Sequence, residues 1–469
     1  MSLSSQPDGS AQSVPIPSAI RRDNDPLRIL AVLWQARWLL LLVPLCSIAL
    51  VLWLAWTKAP QLPTGDEWSL VSIYEKFSQG SGTFADLWRT NGQGHRLLWP
   101  RLIALPVVWL TSWDRQVMLT ISITLAVITW VLLMDAVRRT FEAVWAIWVL
   151  LVPTALLAFS QARYHNWLKS YTDKIPTALG VAIVVWAIAA ARPGSRGWYL
   201  VALLGAVVAS YSSLAGLAAW FAFFPAVFER SRKWALIWIM AGVLTIGVFA
   251  IGYPFGEKVS PVPLSADYVR FVLAWVGVSV GQRDPQRELA AGIVSAIGIV
   301  GALVFLYWPS LYARASAPKQ LMVWFGLAAF AAGTGTMIAM EKAGPEDSEA
   351  SRYLAYSVVW WIAFLVIGLA TTVRAMALAE GRSWRAWSFR TVAPAIVYLG
   401  IVLLVMVGTI KTSAIGLQRG IAWQQEQLAT ERCVFDQPVT QACLASLGTP
   451  KKISPSLEFL RQEHLAIFR

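Results

Sequence analysis

The sequence predicts an all-α polytopic membrane protein with about eleven transmembrane helices. Three observations carry that reading. Of 469 residues, 57% are hydrophobic and 14% charged, against roughly 45–50% and 25% in soluble domains. Apolar stretches of about 20 residues, the length a hydrocarbon-spanning helix needs, recur almost end to end. The loops between them carry Arg and Lys, which collect on the cytoplasmic side of membranes. This composition excludes a soluble enzyme and a disordered chain. The net charge of +13 is a topology signal rather than a nucleic-acid footprint, because no soluble segment holds an Arg-rich helix with interleaved aromatics.

Residues 1–36, rich in Ser and Pro and then in Arg, predict a disordered cytoplasmic start. Trp38–Trp56 is too long for a signal-peptide core and lacks a cleavage site. It is read as an uncleaved first span with its N-terminus inside. Further spans follow at 116–135, 142–159, 175–191, 198–212, 214–228, 234–252, 289–308, 320–340, 353–371 and 391–410. Leu97–Trp113 holds Pro100, Arg101 and Pro106, which suit an interfacial or re-entrant segment better than a lipid-exposed span. With that segment interfacial, Arg138/Arg139, Arg192/Arg196, Arg230/Arg232/Lys233, Arg314/Lys319 and Arg374/Arg382/Arg385/Arg390 all face the cytoplasm. The expected layout is a transmembrane domain over 37–410 with an outer loop at 58–115, then a small outer tail at 411–469.

Most of the 26 acidic residues then fall on the outer side, in 58–115, 160–174, 253–288, 341–352 and the tail. Transporters keep ionisable residues and broken helices near the midplane; here no charge lies near a span centre and no half duplicates the other. Chemistry at the outer face is favoured over transport. Cys433 and Cys443, close together in the outer tail, are disulfide candidates in an oxidising compartment. Zinc lacks the further ligands it needs there.

The outer loop opens Pro63-Thr64-Gly65-Asp66-Glu67-Trp68. An adjacent carboxylate pair just beyond a span stands out in so acid-poor a chain, and Trp68 belongs at the interface. Val71, Tyr74 and Phe77, then Phe84, Leu87 and Trp88, have helical spacing and predict amphipathic helices lying on the membrane. The run Asn91-Gly92-Gln93-Gly94-His95-Arg96-Leu97-Leu98-Trp99-Pro100-Arg101 follows. A carboxylate beside an acceptor hydroxyl acts as a general base, and arginine forks match phosphate oxygens. Asp66 also reads as the N-cap of the next helix, and Arg96 and Arg101 as interfacial anchors. In 160–174, Arg163, Lys169 and Lys174 supply positive charge and the Tyr and Trp rings a stacking surface for sugar, or the whole set anchors the interface.

A long first outer loop beginning with an acidic pair, followed by membrane-lying helices and many spans, resembles the C-type (GT-C) integral-membrane glycosyltransferases. The resemblance extends to the Asn…His-Arg…Pro-Arg-Leu run at 91–102, to Gln161…Asn166-Trp167, to Ser351-Arg352-Tyr353 and to the tail from Leu444 to Phe468. It implies inverting transfer of a sugar from a polyprenyl-phosphate donor to a lipid, glycan or protein acceptor. The reaction would take place at the outer (periplasmic) face of a bacterial inner membrane, among membrane lipids. Asp66 would be the base, with Glu67 and His95 assisting. Arg96, Arg101, Arg163, Asn166, Lys169, Arg352 and Tyr353 are the candidates for donor phosphate and substrate. Arg352 has a second reading, as a partner of Glu349 about one helical turn away. Only some members use a divalent cation (Mg or Mn), so a metal at Asp66 and Glu67 is left open. His165 stands where the family's pattern has an acidic residue. A transporter or flippase, a glycan polymerase or ligase, and a non-catalytic envelope-assembly component are the competing classes.

Overall fold

The computed structural model describes residues 35–91, 94–170, 174–192, 194–253, 265–307, 319–342, 354–380, 389–435, 439–447 and 450–468. They are nearly all helical. The chain begins with α1 (Leu42–Lys58), α2 (Glu67–Ser78), α3 (Phe84–Trp88), a hairpin pairing β1 (Thr90–Asn91) with β2 (His95–Arg96), and α4 (Leu98–Thr111). Next come α5 (Arg115–Phe141), α6 (Trp145–Ala158), α7 (Tyr164–Leu168), α8 (Lys174–Ala190) and α9 (Arg196–Ser210). They lead to α10 (Ala218–Ala222), α11 (Phe224–Arg230), α12 (Arg232–Ala250), α13 (Ala266–Gly277) and α14 (Pro285–Tyr307). The last are α15 (Met322–Lys342), α16 (Leu354–Glu380), α17 (Phe389–Cys433), α18 (Gln441–Leu447) and α19 (Pro450–Gln462).

Among the described residues, eight helices are long and apolar enough to cross a membrane: α1, α5, α6 with the turns after it, α12, α14, α15, α16 and α17. The cause is local, since a backbone in hydrocarbon must satisfy every N–H and C=O within its own segment. Large apolar side chains stay exposed along α12 (Leu236, Val243, Leu244), α14 (Val294, Ile297, Val300) and α17 (Leu399, Leu403, Leu404). Such faces are a liability in water and cost nothing against lipid tails. The apolar α8 and α9 are shorter, with 17 and 15 residues. With 14 residues, α4 is about 21 Å long, short of the ~30 Å hydrocarbon core, and it leaves Leu102, Trp109 and Leu110 exposed.

The stretch read as a span over 214–228 is broken instead into a 3-10 turn at Leu214–Leu217, α10 and α11. Gly216 and Pro225 supply the reason. A Cβ on Gly216 would lie 1.9 Å from the Ala209 carbonyl oxygen, so the chain doubles back onto the end of α9 where only glycine fits. Pro225 sits in the first turn of α11, where a missing N–H is harmless. Beside this break an apolar recess of about 310 Å³ is lined by residues including Trp220, Phe224, Trp238 and Val243.

One helix of 45 residues, α17, carries the last span straight into the tail. Cys433 and Cys443 are joined by a disulfide, and α19 packs on α2. Leu62, Trp68, Leu70 and Val71 of the first loop share one core with Val434, Leu444, Leu457 and Leu460. The tail is part of the loop-bearing end rather than an appendage.

Close backbone approach holds α13 against α14. A Cβ on Gly277 would fall 1.8 Å from the Glu288 carbonyl oxygen, whereas one on Gly301 would meet nothing within 4 Å. Gly277→Ala is expected to destabilise the protein by about 1–3 kcal/mol, seen as a lowered unfolding temperature in detergent. Gly301→Ala, on the same pair of helices, should leave it unchanged.

Candidate functional site

The two carboxylates of the acidic pair meet different fates. Glu67 is 1% exposed, as is Arg115 at the start of α5. Arg115 Nη1 lies 2.9 Å from Glu67 Oε2 and Nη2 donates to Oε1 at 3.2 Å. Thr64 donates to Oε2 from its N–H at 2.6 Å and from Oγ1 at 3.1 Å. The Ser170 hydroxyl donates to Oε1 at 2.9 Å. The Glu67 side chain thus reaches back three residues and ties down the turn that leads into α2. Arg115 also donates to the carbonyls of Leu62 and Leu168. The knot thereby joins the 61–67 strand, α5 and the end of α7.

Asp66 is exposed and stands at the N-cap of α2, but its side chain makes no cap hydrogen bond. The capping alternative is therefore not realised. Only the Asp66 main-chain carbonyl is used, accepting from the Ser69 N–H at 3.1 Å and hydroxyl at 2.7 Å. The Asp66 carboxylate is presented outward from a tightly held turn. Glu431 of α17 holds the approach to it, accepting from the N–H groups of Gln61 and, at 2.8 Å, Leu62. In the same loop the Lys76 ammonium, with hydrogen bonds from Thr83, holds the Asp86 carboxyl down to about 2.

Arg96 and Arg101, candidates for donor phosphate or for interfacial anchors, are both held inside the scaffold. Each is 2% exposed. Arg96 donates from Nε to the Phe249 carbonyl at 2.7 Å, from Nη1 to that of Trp88 at 2.8 Å, and from Nη2 to that of Ile251. Its guanidinium lies 4.6 Å from the centre of the Trp88 ring. Arg101 Nη1 donates to the Leu87 carbonyl at 2.7 Å and to those of Asp86 and Arg89, closing the C-terminal end of α3, where a cation is favoured. Both side chains are anchored through main-chain oxygens. His95 belongs to the same corner, with its Nδ1 accepting from the Leu214 N–H at 3.4 Å.

Arg163 is buried, donates to the Ala158 carbonyl at 2.8 Å and lies 4.7 Å from the Trp167 ring centre. Asn166 is buried at 1% exposure. Lys169 is half-buried and reaches the acidic turn, its Nζ standing 3.5 Å from where a Cβ on Gly65 would be. Among the described cations foreseen for donor phosphate, Lys169 is the one placed at the Gly65-Asp66 turn. Arg352 and Tyr353 lie outside the described residues.

Both Glu67 oxygens already accept from protein donors, whereas the Asp66 carboxylate is exposed. Among the described residues no group of three His, Cys, Asp or Glu side chains is placed to hold a metal ion. Sequence reasoning missed Arg115, Ser170 and Glu431, which nothing local separates from other polar residues of the loops.

The disulfide closes a loop of 10 residues next to Glu431. Its removal by reductant, or in a Cys433→Ser/Cys443→Ser protein, is expected to cost about 2–3 kcal/mol. Melting with and without reductant checks this, and the double variant should show no further response to reductant.

No family model, curated protein or solved structure matches this chain. Fold and composition define the class, a polytopic all-α membrane protein. Its activity is a matter of the site.

Proposed function

We propose that the protein is an inverting glycosyltransferase that takes its sugar from a polyprenyl-phosphate donor at the loop-bearing face of a bacterial inner membrane. The observation that carries this reading is the exposed Asp66 carboxylate. The buried Glu67–Arg115 pair holds it in place, and the Lys169 ammonium stands beside its turn.

In this reaction Asp66 takes the proton of an acceptor hydroxyl as the oxygen attacks the anomeric carbon. The bond from that carbon to the phosphate oxygen breaks on the opposite face, and its electron pair leaves with the polyprenyl phosphate. Configuration inverts. Lys169 offsets the charge that develops on the leaving phosphate. Glu67 acts as a positioning residue, since both its oxygens are occupied by protein donors.

The test is label transfer in proteoliposomes with a panel of polyprenyl-phosphate sugars. Consumption of at least one donor, by transfer or hydrolysis, is expected. If every donor is neither bound nor consumed, the reading fails and a transporter or scaffold takes its place.

A further inference from the structure

The long helix α17 brings a tryptophan to the acidic turn. Its glycines allow it to lie on the 160–169 segment, for a Cβ on Gly416 would be 2.3 Å from Ala162 Cα and one on Gly420 would be 2.9 Å from Tyr164 Cβ. Trp423 follows within a turn. The His165 ring meets the Trp423 indole edge-on at 5.3 Å between centres, and Lys169 Nζ lies 6.0 Å from the indole centre. The same Nζ stands 3.5 Å from the Cβ point of Gly65, the residue before Asp66. Trp423, His165 and Lys169 are each half-buried, and Asp66 is exposed, so an aromatic surface lies against the cation that reaches the turn presenting the carboxylate.

We infer that Trp423 is the stacking platform for the pyranose ring of the sugar phosphate, with Lys169 taking the phosphate. The inference rests on the transferase reading of Asp66 and deepens it. A pyranose face carries C–H groups with partial positive charge, which match the negative face of an indole. Its phosphate pairs with an ammonium whose three rotatable N–H groups donate to oxygens in any direction. Trp423 lies well beyond the last apolar span and carries no motif, so only the folded chain brings it here.

Farnesyl phosphate and farnesyl-phosphoryl mannose, glucose and galactose, titrated calorimetrically against the full-length protein in detergent, test the assignment. At least one sugar-bearing probe is expected to bind wild type about tenfold tighter than farnesyl phosphate. Trp423→Leu, which keeps the bulk, should lose that gain, and Trp423→Phe, which keeps an aromatic face, should retain most of it. Lys169→Met should weaken all the probes alike, farnesyl phosphate included. A sugar-dependent gain that survives Trp423→Leu overturns the platform and leaves the transferase reading standing. So does a wild type that binds farnesyl phosphate but no hexose more tightly. Failure of every probe to bind wild type overturns both.

Discussion

Asp66→Asn is expected to slow sugar transfer by about 10²–10⁴-fold, the usual worth of a general base, while the protein melts at an unchanged temperature. The two halves of this expectation have one structural cause. The Asp66 side chain is exposed and caps no helix, so its replacement breaks no contact that holds the fold, and surface changes of this kind stay within about 0.5 kcal/mol. An amide in the same place keeps size and shape and cannot take a proton. Transfer rates in proteoliposomes, measured beside wild type at matched reconstitution, provide the check. An Asp66→Asn protein with wild-type rates would falsify the assignment of the base.

Arg115→Ala is expected to act in the opposite sense, through stability. It leaves the Glu67 carboxylate buried without the cation that compensates it, a loss of about 3–5 kcal/mol. The effect is large because Arg115 serves several partners at once. It pairs with Glu67 at 2.9 Å and donates to the Leu62 and Leu168 carbonyls. Losing it loosens the strand before Asp66 and the end of α7 together. Glu67→Gln should cost less, since the amide oxygen still accepts from Thr64 at the Oε2 position and the Ser170 hydroxyl can turn to accept from the amide N–H at the other. Denaturant unfolding of the two single variants and the double variant separates the pair's coupling from the cost of each truncation. Independent, additive effects would show that the pair does not act as a unit.

The contrast between the two acids explains why a motif alone reads poorly. Asp66 and Glu67 are adjacent and chemically alike, and as sequence they are interchangeable candidates for base and helper. One side chain of the pair points out and the other in, and the inward one finds Arg115 and Ser170, 48 and 103 residues away. The arginines of the loop divide in the same way. Arg96 and Arg101 are both read from sequence as phosphate forks, and in the fold α3, and for Arg96 also the end of α12, present main-chain carbonyls to them. A guanidinium has the same donors for a phosphate as for a carbonyl, and its neighbours choose between them.

Helices were legible wherever the controlling physics is local. Apolar runs of membrane length must be helical because hydrocarbon offers the backbone no other partner, and the expected spans have helical counterparts at nearly every position. The amphipathic helices of the first loop follow from 3.6-residue spacing in the same way. What spacing cannot reach is distance along the chain. The break after α9 depends on Gly216 meeting the Ala209 carbonyl, the tail's place on α2 depends on a core shared between Trp68 and Leu457, and Trp423 comes to Lys169 only because α17 runs on past the span. Composition and periodicity therefore account for a helical membrane protein with an acidic turn at one face. Which carboxylate is offered to a substrate, and which side chains surround it, is decided by packing between residues far apart in sequence, because burial and pairing energies belong to neighbourhoods that exist only once the chain has folded.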